Sequence, residues 1–321
     1  MSKIFITGIA GFIGYHLARK LFSQGHDVSG LDNFNDYYDS SLKRTRESKL
    51  NDLGIEVFDC DLTSDSFKFY KNAHRLTTSQ PSLEGVETVI HLAAYAGVRH
   101  SMLYPHLYIQ NNIIASQNLI DRCEKDGVNR ILHASTSCVM AGNPLPWKED
   151  EKLGHQLNPY GYTKATTESQ FKTSSIPNTI SLRFFTVYGP WGRPDMALFD
   201  FTKNIILGNP IKLFNNGDMI RDFTYIDDIV NGIILLLDIK GKEIYNIGRG
   251  EKVNLLDFVH EIEKNLNRKA IKEMVAMHPA DTQTTWSDTT KIKKLGYNPK
   301  VSIGEGIENF VNWYKSYYKV N

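Results

Sequence analysis

The sequence predicts an α/β fold in which a doubly wound parallel sheet is followed by a smaller C-terminal α+β part. Short, largely apolar runs alternate with longer amphipathic stretches through the first half, which is typical of parallel strands covered by helices on both faces. After Phe185 the pattern changes, and a Gly- and Pro-rich segment follows. The 321 residues suffice for about two domains at roughly 150 residues each. We therefore expect one domain over residues 1–185 and a second mainly over residues 186–321, with a soft boundary and chain crossings.

The apolar runs and the amphipathic stretches give the individual elements. Strands are predicted at Lys3–Thr7, Asp27–Leu31, Ile55–Asp59, Thr88–His91, Arg130–Ala134 and Thr179–Phe184. Helices are predicted in the first half at Phe12–Ser23, Tyr108–Lys125 and Tyr160–Lys172. No regular structure is expected over Gly189–Ala197, and further helices are predicted at Leu198–Leu207, Ile226–Asp238, Leu255–Leu266 and Ser302–Lys319.

Composition and charge argue against several classes of protein. With 41% hydrophobic and 23% charged residues, the chain is unlike collagen, coiled coils or disordered sequences. Its 37 basic and 36 acidic residues supply no field for nucleic acid or an anionic membrane, so neither partner is expected. No apolar run approaches the ~20 residues of a bilayer span, and the N-terminus lacks the features of a signal peptide, so a cytoplasmic location is expected. Cys60, Cys123 and Cys138 fit no zinc or disulfide pattern, and no metal is expected.

A glycine-rich turn between the first strand and the first helix predicts a nucleotide site. Gly8 allows a tight turn, Gly11 lets the backbone approach a pyrophosphate, and Gly14 permits close packing of the helix. The phosphates then lie at the positive N-terminus of the helix. A plain glycine turn is the alternative, but the strand–turn–helix context favours a Rossmann-type dinucleotide site.

Acidic residues at the next strand ends refine this prediction. Asp32 ends the second strand, 18 residues after Gly14, where a carboxylate accepts hydrogen bonds from both ribose hydroxyls. The same carboxylate repels a 2′-phosphate, so the cofactor is expected to be NAD rather than NADP. Asp61 and Leu62 follow the third strand, where the edge of the adenine would lie.

Tyr160 and Lys164 are candidates for the chemical step because they are four residues apart on one face of a predicted helix. An ammonium near a phenol lowers its pKa from about 10, which would make Tyr160 a general base, and Lys164 could also hold the nicotinamide ribose. A solvated helix face is the alternative. Thr136 and Ser137 follow the fifth strand, where hydroxyls donate to a substrate oxygen or cap a turn.

Taken together, these residues resemble the extended short-chain dehydrogenase/reductase family. Within it they are most similar to the NAD-dependent nucleotide-sugar epimerases, and closest to the UDP-glucuronate 4-epimerases. The resemblance covers most of the chain, and its landmarks are TGIAGFIG, LDNFNDYYDSSLKR (31–44), HLAAYAGVRHS (91–101), the Tyr160/Lys164 pair, RFFTVYGPWGRPDMALF (183–199) and RDFTYIDDIV (221–230).

The resemblance implies that UDP-glucuronate is converted to UDP-galacturonate. Tyr160, as phenolate, takes the proton of the 4-hydroxyl while hydride leaves C4 for NAD; the 4-keto sugar turns over, and hydride returns to the opposite face. Thr136 would bind the 4-oxygen with help from Ser137. The first domain would bind NAD and the second mainly the UDP-sugar. Further cofactor contacts are implied at Phe12, Ile13, Asn33, Lys43, Leu92, Ala93 and Ala94.

Substrate-binding residues are also implied by the resemblance. Arg193 is the candidate for bidentate binding of the uronate carboxylate, with Thr186 donating a hydroxyl; a loop arginine capping a carbonyl is the alternative. Arg221 matches a residue that binds the UDP diphosphate. Arg99 would contact the diphosphate or only a backbone carbonyl, and Asp281 lies in a turn expected around the uridine.

Other readings of the same residues remain open. The 4,6-dehydratases carry Asp-Glu where this chain has Ser137 and Cys138, and UDP-glucuronate decarboxylases carry Glu where Cys138 stands, which argues against both. A 4-epimerase of neutral or N-acetylated UDP-hexoses and an inactive nucleotide-binding regulatory protein are further alternatives. The family implies a homodimer formed through two helices per subunit, here Tyr108–Lys125 and Tyr160–Lys172.

Overall fold

The structure is a computed structural model that describes residues 1–68 and 81–320. Its strands are β1 (Lys3–Thr7), β2 (Asp27–Asp32), β3 (Glu56–Asp59), β4 (Thr88–His91), β5 (Arg130–Thr136), β6 (Asn178–Phe184), β7 (Thr186–Tyr188), β8 (Pro210–Phe214), β9 (Ile220–Arg221), β10 (Phe223–Tyr225), β11 (Lys242–Ile247), β12 (Val253–Asn254) and β13 (Ile271–Val275).

Helices connect these strands. They are α1 (Phe12–Ser23), α2 (Ser40–Asn51), α3 (Asp65–Lys68), α4 (Val98–Leu103), α5 (Pro105–Tyr108), α6 (Ala115–Asp126), α7 (Pro159–Thr173), α8 (Ala197–Leu207), α9 (Ile226–Leu235), α10 (Leu255–Leu266), α11 (Thr290–Lys293) and α12 (Ile303–Tyr318). The predicted helix Tyr108–Lys125 is not one continuous α-helix, because Ile109–Ile114 is π-helical and precedes α6. Among the described residues, no helix has both the length and the apolarity needed to cross a bilayer.

Seven parallel strands form the central sheet in the order β11-β6-β5-β4-β1-β2-β3. The strand order reverses beside β1, which pairs with β2 on one side and β4 on the other. In such a sheet the crevice beyond the carboxyl ends at the reversal point is the usual ligand site. The edge strand β11 comes from beyond residue 185, so the chain returns to the first domain's sheet after leaving it. The predicted α/β, doubly wound class is confirmed.

Alternating side chains of the strands are buried on both faces of the sheet. Phe5, Val89 and Ile131 point to one face and pack in a cluster with Leu119 of α6 and Phe171 of α7. Their neighbours Ile4, Ile6, Ile90 and Leu132 belong to the larger cluster on the other side, which includes buried residues of α1 and α9. Because both faces are covered, the strands read as continuous apolar runs, and this is why they could be predicted.

Candidate active site

A cavity of about 1060 Å³ lies beyond the carboxyl ends of the sheet strands and is lined by residues from both parts of the chain. This volume lies at the upper end of the range of about 300–1000 Å³ that is usual for small-molecule sites. Every candidate cofactor, catalytic and substrate residue named from the sequence lines this cavity. The motifs are up to 273 positions apart in the chain, from Gly8 to Asp281, and the fold brings them together.

The glycine turn has the geometry that a dinucleotide requires. Gly8 has φ +72°, which residues with a side chain rarely adopt, and a Cβ there would lie 2.8 Å from the backbone nitrogen of Ala93. Both the backbone conformation and the lack of space therefore exclude a side chain. A Cβ on Gly14 would lie 2.2 Å from the carbonyl oxygen of Gly8, so α1 packs directly on the turn. Gly11 caps α1 without a side-chain hydrogen bond. The first-turn amides of the helix are therefore left for an anion such as a pyrophosphate.

Asp32 is held at the end of β2 with its carboxylate in the cavity wall. Its Oδ1 accepts from the backbone N–H of Phe34 at 2.9 Å and faces Lys43 Nζ at 3.4 Å. The next residue, Asn33, donates through Nδ2 to Oδ2 of Asp61, which follows the neighbouring strand β3, at 2.8 Å. Two ordered carboxylates therefore face the region predicted for the adenosine, and this arrangement suits ribose hydroxyls better than a phosphate.

Lys164 and Tyr160 are placed by the start of α7. Asn158 caps the helix by accepting from Gly161 N at 2.8 Å, so Tyr160 lies in the first turn and Lys164 one turn later. Burial lowers the pKa of Lys164 from 10.5 to about 8, while the carboxylate of Glu168 opposes this shift. Lys164 is therefore mostly protonated at neutral pH.

The pKa of the Tyr160 phenol differs from the expectation. Burial raises it above its ordinary value and the neighbouring Cys138 raises it further, whereas a hydrogen bond with Thr136 and the charge of Arg193 lower it. The prediction of a lowered pKa is wrong for this structure: the loss of solvent outweighs the favourable neighbours, of which Thr136 and Arg193 act most strongly. Burial of a side chain could not be read from the four-residue spacing.

Thr136 fills one of the two roles considered from the sequence, the capping of a turn, and its hydroxyl proton is left for the other. Its Oγ1 accepts from the backbone N–H of Cys138 at 3.2 Å and so caps the short turn Ser137–Met140. Because a hydroxyl keeps its own proton when it accepts a bond, Thr136 can still donate into the cavity. Ser137 lies beside it and is 7% exposed. Burial raises the pKa of the Cys138 thiol, so this residue stays neutral at pH 7.

Sequence reasoning missed a buried polar cluster behind α7. Glu168 Oε1 accepts from Ser135 Oγ at 2.6 Å and from Arg183 Nε at 2.9 Å, and Arg183 Nη2 donates to Oε2 at 2.8 Å. These bonds fasten α7 to β5 and β6. The one available signal was the position of Glu168, four residues after Lys164 on the same helix.

Two of the three arginines predicted to bind the substrate, Arg193 and Arg99, have acidic partners. Arg193 uses Nε and Nη2 on the two oxygens of Asp195, at 3.0 and 2.6 Å, and Nη2 also donates to the carbonyl of Ala96 at 2.8 Å. The Nε–Nη2 edge of the guanidinium is thus occupied by Asp195, and Nη2 also caps a backbone carbonyl, which is the alternative considered from the sequence; the bidentate contact with a substrate carboxylate stays a prediction. Thr186, at the start of β7, lines the cavity as expected.

Arg99 and Asp281 were predicted to contact different parts of a nucleotide, but in this structure they bind each other. Arg99 Nη2 donates to Asp281 Oδ2 at 2.7 Å, and its guanidinium lies 3.4 Å from the centre of the Phe214 ring. Arg99 thus binds a side-chain carboxylate instead of a backbone carbonyl. Arg221 donates through Nη1 to the carbonyls of Ile220 and Gln283, both at 2.9 Å.

Comparison with known proteins identifies the family. Residues 4–248 match the NAD dependent epimerase/dehydratase family. The chain belongs to this family. The match covers about three quarters of the chain, including the whole seven-stranded sheet, and it confirms the resemblance seen in the sequence.

Individual members of the family align over nearly the full length of the chain. The UDP-glucuronate 4-epimerase of Thermodesulfobacterium geofontis is 40% identical, with 98% of this chain and 97% of that protein covered. Protein CapI of Staphylococcus aureus is 38% identical, with 99% of each chain covered. Among solved structures, UDP-glucuronic acid 4-epimerase from Bacillus cereus in complex with UDP-glucuronic acid and NAD superimposes with a TM-score of 0.88 at 33% identity, covering 98% of this chain and 100% of that one.

Proposed function

We propose that this chain is an isomerase that converts UDP-glucuronate to UDP-galacturonate by NAD-dependent epimerisation at C4. The observation that carries the proposal is the shared cavity, which brings the glycine turn and Asp32 together with Tyr160, Lys164 and the arginines of the second part. Relatives that carry the name UDP-glucuronate 4-epimerase align over almost the entire chain, and this supports the same substrate.

NAD fits the residues on the cofactor-binding side of the cavity. The uncapped amides of α1 would hold the pyrophosphate, Asp32 the adenosine ribose, and Asn33 and Asp61 the neighbouring edge of the adenine. Lys43, paired with Asp32, would lie beside that ribose, and Lys164 would hold the ribose of the nicotinamide. When bound, NAD supplies the acceptor and later the donor of the hydride at C4 of the sugar.

Tyr160 accepts and returns the proton of the 4-hydroxyl, and Thr136 binds the 4-oxygen. Thr136 donates a hydrogen bond to the 4-oxygen, and Ser137 assists beside it. Tyr160, as phenolate, takes the proton when C4 is oxidised and returns it when C4 is reduced from the other face. Since burial favours the neutral phenol, the phenolate depends on the positive charge of Arg193 and, before the sugar takes the hydrogen bond of Thr136, on that hydroxyl.

The carboxylate of the substrate needs its own binding site, because a 4-keto uronate is a β-keto acid that can lose CO₂. Arg193 and Thr186 are the residues proposed to hold it. Arg221 and Arg99 would face the diphosphate, and Asp281 would lie near the uridine, with Arg99 orienting it. Cys138 is a neutral thiol where the decarboxylases carry a glutamate, so the site lacks a carboxyl group at that position.

A 4-epimerase of neutral or N-acetylated UDP-hexoses is the second candidate. The observation in its favour is the pairing of Arg193 with Asp195, which leaves the guanidinium with less capacity for a second carboxylate. A solved relative at 27–28% identity, MoeE5, is described in complex with UDP-glucuronic acid and, separately, with UDP-glucose and NAD.

The organisation of the chain is part of the same proposal. Residues 1–185 would form the NAD-binding domain together with β11, and residues 186–321 would mainly bind the UDP-sugar. A homodimer in the cytoplasm remains the predicted state. Exposed apolar side chains lie near or on the first of the two helices predicted for the dimer contact, at Met102, Leu103, Ile109 and Ile114.

The experiment that tests this function uses the purified protein without added NAD. It is incubated with UDP-glucuronate, UDP-glucose or UDP-N-acetylglucosamine, and the products are separated by chromatography. We expect UDP-galacturonate from the first sugar, no UDP-pentose, and turnover of the other two at least about 100-fold lower in kcat/KM. Preferred turnover of a neutral sugar would favour the second candidate, and a UDP-pentose product would overturn the argument from Cys138.

A further inference from the structure

Asp195 binds one residue of its own loop and one residue from another segment of the cavity wall. It binds the forked edge of Arg193, and its Oδ2 also accepts from the hydroxyl of Tyr37 at 3.1 Å. Tyr37 comes from the loop after β2, whereas Arg193 and Asp195 come from the loop before α8. The carbonyl of Ala96, in the loop after β4, accepts from Arg193 as well. Three loops therefore meet at one guanidinium.

These contacts use a defined part of the guanidinium. Of its five N–H groups, the one on Nε and both on Nη2 have acceptors in Asp195 and Ala96. Within the described part of the chain, Nη1 makes no hydrogen bond, and Arg193 lines the cavity. A substrate carboxylate would therefore meet Nη1 of a guanidinium whose plane is already held by the hydrogen bonds of Nε and Nη2.

Tyr37 is itself held firmly, so it can fix Asp195. A Cβ at Gly97 would lie 2.0 Å from the Tyr37 hydroxyl, which means that the missing side chain of Gly97 makes room for it. The Tyr37 ring packs edge-on against Tyr95 and His100, with centroids 5.6 and 4.9 Å away. Burial and the charge of Asp195 raise the pKa of Tyr37 to about 12, so it remains a hydrogen-bond donor at neutral pH.

We infer that Asp195 and Tyr37 are positioning residues that orient Arg193 for the carboxylate of the sugar. This inference rests on the proposed function. The Arg193–Asp195 pair is close to neutral overall, so a second carboxylate gains little from net charge. It gains instead from the direction of the Nη1 hydrogen bonds, and that direction depends on the three bonds that hold the other edge.

The test compares the affinity of a uronate with that of a neutral sugar. UDP-glucuronate and UDP-glucose are titrated calorimetrically into the NAD-bound protein in a Tyr160→Phe background, so that neither sugar is converted. The ratio of the two dissociation constants measures recognition of the carboxylate alone. We expect the preference for UDP-glucuronate to fall about tenfold or more in Asp195→Asn, and by a smaller factor in Tyr37→Phe.

A matched control removes an arginine-paired carboxylate that does not line the cavity. Glu251 binds Arg249 Nε at 2.7 Å, and its side chain is 60% exposed, so Glu251→Gln should leave the ratio unchanged. A defect in folding would weaken the binding of both sugars equally and would leave the ratio of their dissociation constants unchanged. An unchanged or higher preference for UDP-glucuronate in Asp195→Asn would overturn the inference.

The same titrations separate this inference from the proposed function. If the parent protein binds the two sugars equally well, the proposed uronate specificity fails and the inference fails with it. If the parent prefers UDP-glucuronate and Asp195→Asn keeps that preference, the proposed function stands, and only the role given to Asp195 and Tyr37 is overturned.

Discussion

The cofactor-binding wall of the cavity is made largely of backbone, whereas the substrate-facing wall is made of arginines paired with acids. On the first wall, Gly8 and Gly14 lie so close to neighbouring backbone that neither has room for a Cβ. On the second, Arg99 and Arg193 bind Asp281 and Asp195. Gly8 and Gly14 belong to one short turn, and Gly8 also faces the backbone of Ala93 after β4. On the other wall, Arg99 and Asp281 are 182 positions apart, whereas Arg193 and Asp195 lie in one loop.

The two walls are expected to respond differently to mutation. A Cβ that meets backbone atoms cannot be accommodated by a rotamer change, so it affects both stability and cofactor binding. The arginine–acid pairs are partly exposed, with 44% of the Arg99 side chain accessible, and such pairs contribute little to stability. We propose instead that these pairs orient the arginines toward the substrate. The following predictions test this difference.

The largest effect is expected at Tyr160, which interacts with Thr136 and Arg193 of the substrate-facing wall. Tyr160→Phe removes the group that carries the proton and should lower kcat by about 100- to 10 000-fold. Binding of NAD and of UDP-glucuronate should change little, because the ring stays in place. Steady-state kinetics and calorimetric titration measure the two quantities. Retention of more than a tenth of the wild-type kcat would contradict the role of Tyr160.

Arg193→Gln breaks the substrate-facing wall. Losing a charged hydrogen bond of about 1.5–3 kcal/mol should reduce kcat/KM for UDP-glucuronate by about 10- to 100-fold. A UDP-pentose product should also appear: the C5–C6 bond of the 4-keto sugar breaks, CO₂ leaves, the electron pair of that bond forms the C4 enolate, and C5 is protonated. Return of the hydride to C4 then reduces the 4-keto pentose to the UDP-pentose. Arg268→Gln is the control, since Arg268 is exposed and, within the described residues, its side chain donates only to Ile206 O at 2.7 Å. Clean epimerisation at the wild-type rate would argue against a contact between Arg193 and the carboxylate.

Gly14→Ala breaks the backbone wall. The new Cβ would lie 2.2 Å from the carbonyl oxygen of Gly8, so we expect a loss of about 1–3 kcal/mol in the free energy of unfolding and a loss of bound NAD. Urea unfolding and the amount of NAD released on denaturation measure both. Gly304→Ala, in α12, is the control, because its Cβ would meet only Glu261 Oε2 at 3.4 Å. Wild-type stability and NAD content in Gly14→Ala would show that α1 does not need this close approach.

The smallest effect is a pH dependence of stability that arises from Lys164. Its pKa is about 8 in the folded protein and 10.5 ordinarily, so the unfolded chain binds more protons between these values. Stability from this group therefore rises with pH from about 8 to about 10.5, by an amount of order 1–3 kcal/mol. Lys164→Met should abolish this rise and the activity together, whereas Lys172→Met at the exposed end of α7 should retain both. Unfolding curves measured across this pH range give the free energy of unfolding at each pH. The account would be contradicted if this free energy rose with pH in both variants as it does in the wild type.

Much of the fold and the cofactor-binding wall could be predicted because their signals are local. The strand β1, the turn through Gly8 and Gly14, and the helix α1 occupy the positions that spacing and apolar runs indicated. Strands that are covered on both faces are apolar along their length, and this pattern allowed them to be predicted from the sequence. The π-helical segment Ile109–Ile114 could not be predicted, since its residues also fit an ordinary amphipathic helix.

The substrate-facing wall could be predicted only as a set of residues, and the pairing among them could not. Arg99 and Asp281 are 182 positions apart, and nothing in either motif indicates that they bind each other. Arg193 and Asp195 are two positions apart, and this spacing was the one available signal for their pairing. The pKa of Tyr160 was predicted in the wrong direction because it depends on burial, which the spacing of two residues on a helix does not reveal.

The most direct test of the central claim is to follow the hydrogen on C4. The purified protein, without added NAD, is incubated in ordinary water with UDP-glucuronate carrying deuterium at C4, and the products are separated and examined by mass spectrometry and NMR. Transient oxidation with hydride return predicts UDP-galacturonate that keeps the deuterium at C4. UDP-galacturonate that has exchanged this deuterium for a solvent proton, or UDP-glucuronate that remains unconverted, would contradict the account.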